Sequence, residues 1–411
     1  MDLDRRTLLG SAAALPFASD VIAIAAGAGD WEAIRRHYAV TRKVIQLEHG
    51  NWGMMAQPVL AAYQANVARV NRDTSFYARR TMVGDLDAVR ADLAAAMGVN
   101  ADELALTRNA TEALKALILQ YNRLKPGDSV LYADLDYDSM QASMKTLAAR
   151  TGARLVTIAL PEPASRQNLI DAYAAAFAAD PAIRLVLLTH VSHRTGLVLP
   201  VAAIADLARA RGIDVVVDAA HSVGQIDFKL PDLKADFIGF NLHKWIGAPL
   251  GVGAMYIRRD RLGAIDPDPA EPASAATMEA RVHPGTPDYA AQLTLPTALR
   301  FQQAIGGARR EARLKALRDR WVSPLRGDNR IQIMTPDDPA LYGAITSFRL
   351  RGRTSHDQNV ALAKSLLDRH GIFTVHRDGL ASGSCVRVTP SLATSMEEMD
   401  RLVNAIRAEA G

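Results

Sequence analysis

Apolar positions follow two different periods along this chain. In five stretches (57–72, 85–97, 110–124, 139–150 and 169–179) they return every three or four residues, the spacing of a helix with one buried face. Between and after them lie short apolar runs at 129–133, 154–158, 183–188, 214–217, 236–240 and 252–257, rich in Val, Ile and Leu. These runs are apolar on both faces and separated mostly by helices, as expected of strands in a largely parallel sheet covered on both sides. The turns Pro126-Gly127-Asp128 and Arg211-Gly212-Ile213-Asp214 each lead into such a run. From about residue 290 one long helical stretch is expected to reach Trp321, and after Pro324 the pattern changes to two or three strands and two helices. The expected organisation is a leader at 1–26, an N-terminal segment at 27–50 that joins the smaller domain, a large domain at 51–300, and a connecting helix with a small C-terminal α+β domain at 301–411.

Charge narrows the function more by exclusion than by indication. The 48 basic and 44 acidic residues are dispersed, and the densest basic stretch, 309–320, is interleaved with Glu311 and Asp319 at helical spacing. That is a solvated helix face and gives no reason to expect nucleic acid as a partner. The single cysteine, Cys385, excludes an internal disulfide and a cysteine-based metal site. At the N-terminus, Asp4-Arg5-Arg6-Thr7-Leu8-Leu9-Gly10 and the small residues after it resemble a twin-arginine export signal. Pro16 and Asp20 interrupt the apolar stretch, so no stable membrane anchor is expected from it. The expectation is export to the periplasm after folding, with any cofactor captured in the cytoplasm.

Polar side chains cluster where the strand-like runs end. In open α/β sheets ligands sit outside the carboxyl ends of the strands. Asp134, Asp136 and Tyr137 follow the run at 129–133; His190 and His193 follow 183–188; Asp218 and His221 follow 214–217; His243 and Lys244 follow 236–240. Four strand ends that offer such groups to one rim argue for a site more strongly than any single residue does.

The stretches Val217-Asp218-Ala219-Ala220-His221-Ser222-Val223-Gly224-Gln225 and Gly239-Phe240-Asn241-Leu242-His243-Lys244-Trp245-Ile246-Gly247 resemble the class-V aminotransferase family, in its isopenicillin N epimerase-like branch. Arg108-Asn109-Ala110-Thr111-Glu112-Ala113 and Gly285-Thr286-Pro287 add to the resemblance, which covers roughly residues 45 to 405. Its most specific part is the 26-position spacing from Asp218 to Lys244. The implied fold is that of the PLP-dependent transferases (aspartate aminotransferase-like, fold type I), an α/β architecture with a large, mostly parallel-sheet domain and a smaller α+β domain. The implied cofactor is pyridoxal 5'-phosphate (PLP), and the implied partners are a small-molecule amino-acid substrate and a second copy of the chain, in a homodimer with shared active sites.

Chemistry explains the residue types. An aldehyde cofactor needs a primary amine made nucleophilic by burial, and Lys244 is the candidate for the Schiff base. The pyridine ring draws electrons only while its nitrogen keeps a proton, and Asp218 is placed to hold that proton. The phosphate needs backbone N–H groups at a helix N-terminus, which Ala110 and Thr111 supply. By resemblance, His243 and Asn241 approach the phosphate, Thr286 reaches it from the other subunit, His221 and His193 contact the phenolic oxygen, and Tyr137 stacks on the ring. Arg387 matches the arginine that takes the substrate carboxylate, a group suited to its bidentate fork. Arg79 and Arg80 are candidates for a second carboxylate, with helix-flanking solvation the plainer reading.

One feature departs from the cysteine desulfurases of the same family. The stretch 371–379, where their nucleophilic cysteine is expected, holds none, and Cys385 sits two positions from Arg387 on the same run, as a packed residue would. Epimerase, transaminase and C–S lyase chemistry all remain open, as does a non-catalytic PLP-binding protein. A metal hydrolase built on His190, His193, Asp218, His221 and His243 matches no zinc spacing and leaves Lys244 unexplained. A nicotinamide enzyme lacks the Gly-x-Gly-x-x-Gly turn.

Overall fold

The computed structural model describes residues 31–411. The twin-arginine segment lies outside the described residues. In chain order the helices are α1 (Trp31–Arg35), α2 (Gln57–Arg80), α3 (Met82–Met97), α4 (Ala110–Leu119), α5 (Asp138–Thr151), α6 (Arg166–Ala179), α7 (Val201–Arg209), α8 (Tyr289–Ile305), α9 (Gly307–Val322), α10 (His356–His370) and α11 (Met396–Ala410).

The apolar runs meet in one seven-stranded sheet. After a two-residue strand β1 (Ile45–Gln46) elsewhere in the molecule come β2 (Leu104–Thr107), β3 (Ser129–Ala133), β4 (Arg154–Ile158), β5 (Ile183–Thr189), β6 (Asp214–Asp218), β7 (Phe237–Asn241) and β8 (Gly253–Ile257). Their order across the sheet is β2-β8-β7-β6-β5-β3-β4. The neighbours from β7 to β4 pair in parallel, while β8 runs antiparallel to both β7 and β2. Strands β5 to β8 are almost wholly buried, which is why they read as continuous apolar runs. Helix α4 packs closely on β7: a Cβ at Gly239 would come within 2.6 Å of Leu114, so only glycine lets the helix start this near the strand ends.

A second sheet has the order β12-β13-β10-β9, formed by β9 (Ile331–Ile333), β10 (Thr346–Leu350), β12 (Val375–Arg377) and β13 (Cys385–Val388), with every pair antiparallel. The short β11 (Ile372–Phe373) pairs in parallel with β1. Ile45 and Leu47 share a buried cluster with Trp321, Phe348 and Val388, so the N-terminal segment is packed into this part of the molecule.

Two departures have local causes. The long helix expected from residue 290 is two helices, because Gly306 (φ +88°) caps α8 in a conformation that only glycine adopts freely. Conversely, α2 continues past the expected end at 72 to Arg80, across a kink at Thr74 (φ 40°).

Candidate active site

The carboxyl ends of β3, β5, β6 and β7 open onto one cavity of about 600 Å³. Tyr137, His193, Asp218, His221, Asn241, His243, Lys244, Ala110, Thr111 and Arg387 all line it. Thr286 is exposed in the loop before α8, and Arg79 and Arg80 are exposed at the end of α2; none of the three lines the cavity. His190 is also absent from the lining and packs edge-on against Phe228.

Lys244 sits in the loop after β7. Its Nζ lies 3.1 Å from Nε2 of His221, and burial lowers its pKa to about 8, against the pull of Asp218 in the opposite direction. Burial likewise holds the His221 imidazole neutral, with the Lys244 charge adding to the effect. The backbone of Lys244 is fixed by the stretch that leads into α2. The Gly53 N–H donates to the carbonyl of His243 at 2.8 Å, and a Cβ on Gly53 would stand 1.7 Å from the carbonyl oxygen of Lys244.

Asp218 ends β6 between the strands that deliver Lys244 and His193. It is buried, its Oδ1 accepts the Ala220 N–H at 2.9 Å, and burial raises its pKa although Ala220 and Lys244 oppose the shift. Beside it, Thr189 donates to the buried Asp136 at 2.6 Å, and burial pushes that carboxyl up to about 7.

At the start of α4, Asn109 accepts the Glu112 N–H, and Asn241 accepts the Ala110 N–H at 2.8 Å. Asn241 therefore anchors the helix end as well as lining the cavity. Thr111, the second residue of α4, lines the cavity in the first turn, where the helix dipole favours an anion. His243 uses Nδ1 against the Val252 carbonyl at 3.0 Å, which fixes its ring. Tyr137 meets His193 edge to face, with ring centroids 5.0 Å apart.

Arg387 is held by groups the sequence did not single out. Its Nη1 donates to the His193 carbonyl at 2.7 Å and its Nη2 to Glu48, which also accepts from Arg377 at 2.9 Å. The expected free fork is thus an internally paired one, and burial lowers the Arg387 pKa to about 10. Glu48 belongs to the N-terminal segment, more than 300 residues away in sequence, so no local pattern signalled it. Arg194 was also missed: its guanidinium ties Asp138 (2.6 Å) to the carbonyl of Asp378. Cys385 is buried in β13, outside the cavity lining, and burial pushes its thiol up to about 11.

Comparison with known proteins identifies the family and the fold. The Aminotransferase class-V family profile matches residues 54–402. The chain is 30% identical to the isopenicillin N epimerase of Streptomyces clavuligerus, over 93% of this chain and 99% of that protein. A cysteine desulfurase from Thermococcus onnurineus NA1 has a similar fold, with a TM-score of 0.79 at 22% identity over 92% of this chain and 98% of the other. So does a lysine-to-alanine variant of C-DES with glycine covalently linked to its PLP cofactor, with a TM-score of 0.77 at 23% identity over 90% and 98%. With a family match over most of its length and a full-length relative at this identity, the chain belongs to the class-V aminotransferase family of PLP-dependent enzymes.

Proposed function

We propose that this PLP enzyme inverts the configuration at the Cα of an amino-acid substrate, with Lys244 and Tyr137 as its two proton carriers. The residues of the cavity fit the cofactor. A buried carboxylate keeps one oxygen free of the Ala220 contact, a helix N-terminus presents Thr111, and Nδ1 of both His193 and His221 is buried without a protein partner. When bound, PLP draws electrons away from the substrate Cα and makes its proton removable.

The protein's own groups do the rest. Asp218 would hold a proton on the ring nitrogen, and Thr111 with the start of α4 would hold the phosphate. His221, neutral and 3.1 Å from Lys244, leaves the lysine amine free to take a proton at Cα. Arg387 would orient the substrate carboxylate. The supporting observation for inversion is topological: the strand carrying Asp218 stands between those that deliver Lys244 and Tyr137, so the two carriers reach the cavity from different sides. No described residue hydrogen-bonds the Tyr137 hydroxyl, which leaves it available as an acid. The burial of Cys385 away from the cavity speaks against a persulfide route.

Turnover in deuterium oxide tests this reading. An epimerase places deuterium at Cα of the inverted product and makes no keto acid, and Tyr137→Phe should slow inversion by about 10²–10⁴-fold. Stoichiometric keto acid would make the enzyme a transaminase, and keto acid with ammonia and a thiol would make it a C–S lyase. Thr286, exposed and outside the lining of its own cavity, is the residue we assign to the cofactor phosphate of a second subunit. A fully active monomer in sedimentation would refute that assignment.

A further inference from the structure

We propose that His356, His376 and Asp378 form a binding site for one divalent transition-metal ion, of the zinc class, at the mouth of the active-site cavity. Among the described residues these three are the only group of histidine, cysteine or carboxylate side chains whose ligand atoms all fall within 4.8 Å of one another. Oδ2 of Asp378 lies 3.0 Å from Nδ1 of His356 and 3.4 Å from Nε2 of His376. An ion held at about 2.0–2.1 Å in tetrahedral geometry sets neighbouring ligand atoms about 3.3 Å apart, so two of the three edges already match. Two imidazoles with one carboxylate are the donor set of a borderline metal, and an ordinary calcium or magnesium site would use oxygen alone. Three protein ligands leave a fourth position open, and two of the three, His376 and Asp378, also line the cavity.

The backbone holds the ligands in place without an ion. His356 is the first residue of α10, whose start is fixed by a capping box between Ser355 and Gln358. His376 lies in β12, opposite Val386 in β13. The other oxygen of Asp378 accepts from Ser384, the kind of outer contact that orients a metal-binding carboxylate. Two nearby arginines do not stand against a cation, since Arg377 is paired with Glu48 and Arg194 with Asp138. An ion here would tie the N-terminus of α10 to the strand end that carries Arg377, and so stiffen the rim on the Arg387 side. The site does not depend on which Cα reaction the enzyme performs.

The test is calorimetric titration of chelator-washed holoenzyme with Zn²⁺, repeated with Co²⁺ while the visible bands of a tetrahedral cobalt centre are followed. One equivalent per chain is expected. His356→Ala and His376→Ala each remove a ligand and should weaken binding by more than the about 10–100-fold that loss of an outer contact costs. His356 is exposed, so its alanine variant should keep the cofactor spectrum of the parent; His356→Gln, still polar, serves if it does not. Absence of stoichiometric binding to the unmodified holoenzyme overturns the proposal, and so does binding that neither histidine substitution weakens.

Discussion

Glu48→Gln removes the one carboxylate among the described residues that hydrogen-bonds Arg387, while keeping its shape. In the ligand-free protein the ion pair is buried on both sides, Glu48 at 7% exposure and Arg387 at 1%. Breaking such a pair from one side costs about 3–5 kcal/mol, because the remaining charge stays buried and uncompensated. The amide of the variant still offers one oxygen, which lowers the loss to about 1.5–2 kcal/mol, since a hydrogen bond to a charged group recovers about 1.5–3 kcal/mol in favourable geometry. A ligand carboxylate arriving at Arg387 would supply the missing charge. In the parent protein the same ligand has to share the guanidinium with Glu48. If about 2 kcal/mol of the loss is recovered on binding, carboxylate affinity rises about 30-fold, at about 1.4 kcal/mol per factor of ten. The assay is titration of parent and variant holoenzyme with propionate and with the tightest-binding amino acid of a panel, followed by calorimetry and by the cofactor absorbance. Thermal unfolding should show a destabilised variant that gains more from the ligand than the parent does. Equal or weaker carboxylate binding by Glu48→Gln refutes the reasoning and makes Glu48 a support for substrate binding instead of a competitor.

Asp218→Ala should hold the cofactor about 10–100-fold more weakly and lose most activity, on the worth of one charge-assisted hydrogen bond, as read by dialysis and absorbance. In cofactor-free protein, labelling of Lys244 by an amine reagent should be half-maximal near pH 8, where burial has moved its pKa. A lysine lowered in the folded state costs stability while charged, so the Lys244 contribution should improve between pH about 8 and the ordinary lysine range, measured against Lys244→Met. Gly53→Ala should displace the segment that holds the Lys244 carbonyl and lower cofactor occupancy at a cost of about 1–3 kcal/mol, whereas Gly84→Ala, with nothing within 4 Å, should leave occupancy unchanged.

What the sequence made legible is what short-range physics controls. The strands at 183–189 and 214–218 lie on the apolar runs at 183–188 and 214–217, because buried parallel strands are written as continuous Val/Ile/Leu segments. The site residues at those strand ends meet in one cavity because the fold delivers every parallel strand end to the same rim. Strand β2, Leu-Ala-Leu-Thr, escaped notice because it is short and holds one β-branched residue. The antiparallel course of β8 is a matter of chain path that an apolar run cannot express. The largest omission, the pairing of Arg387 and Arg377 with Glu48, joins segments from both ends of the chain, and nothing local marks Glu48 as different from a surface glutamate.

The claim on which the rest depends is that Lys244 carries the cofactor, and borohydride reduction of the coloured holoenzyme followed by peptide mapping tests it most directly. Reduction fixes a pyridoxyl group on the lysine that bears PLP, and the account predicts one label, on the peptide containing Lys244, with bleaching of the visible band. A label on another lysine, or coloured protein that yields none, would contradict it.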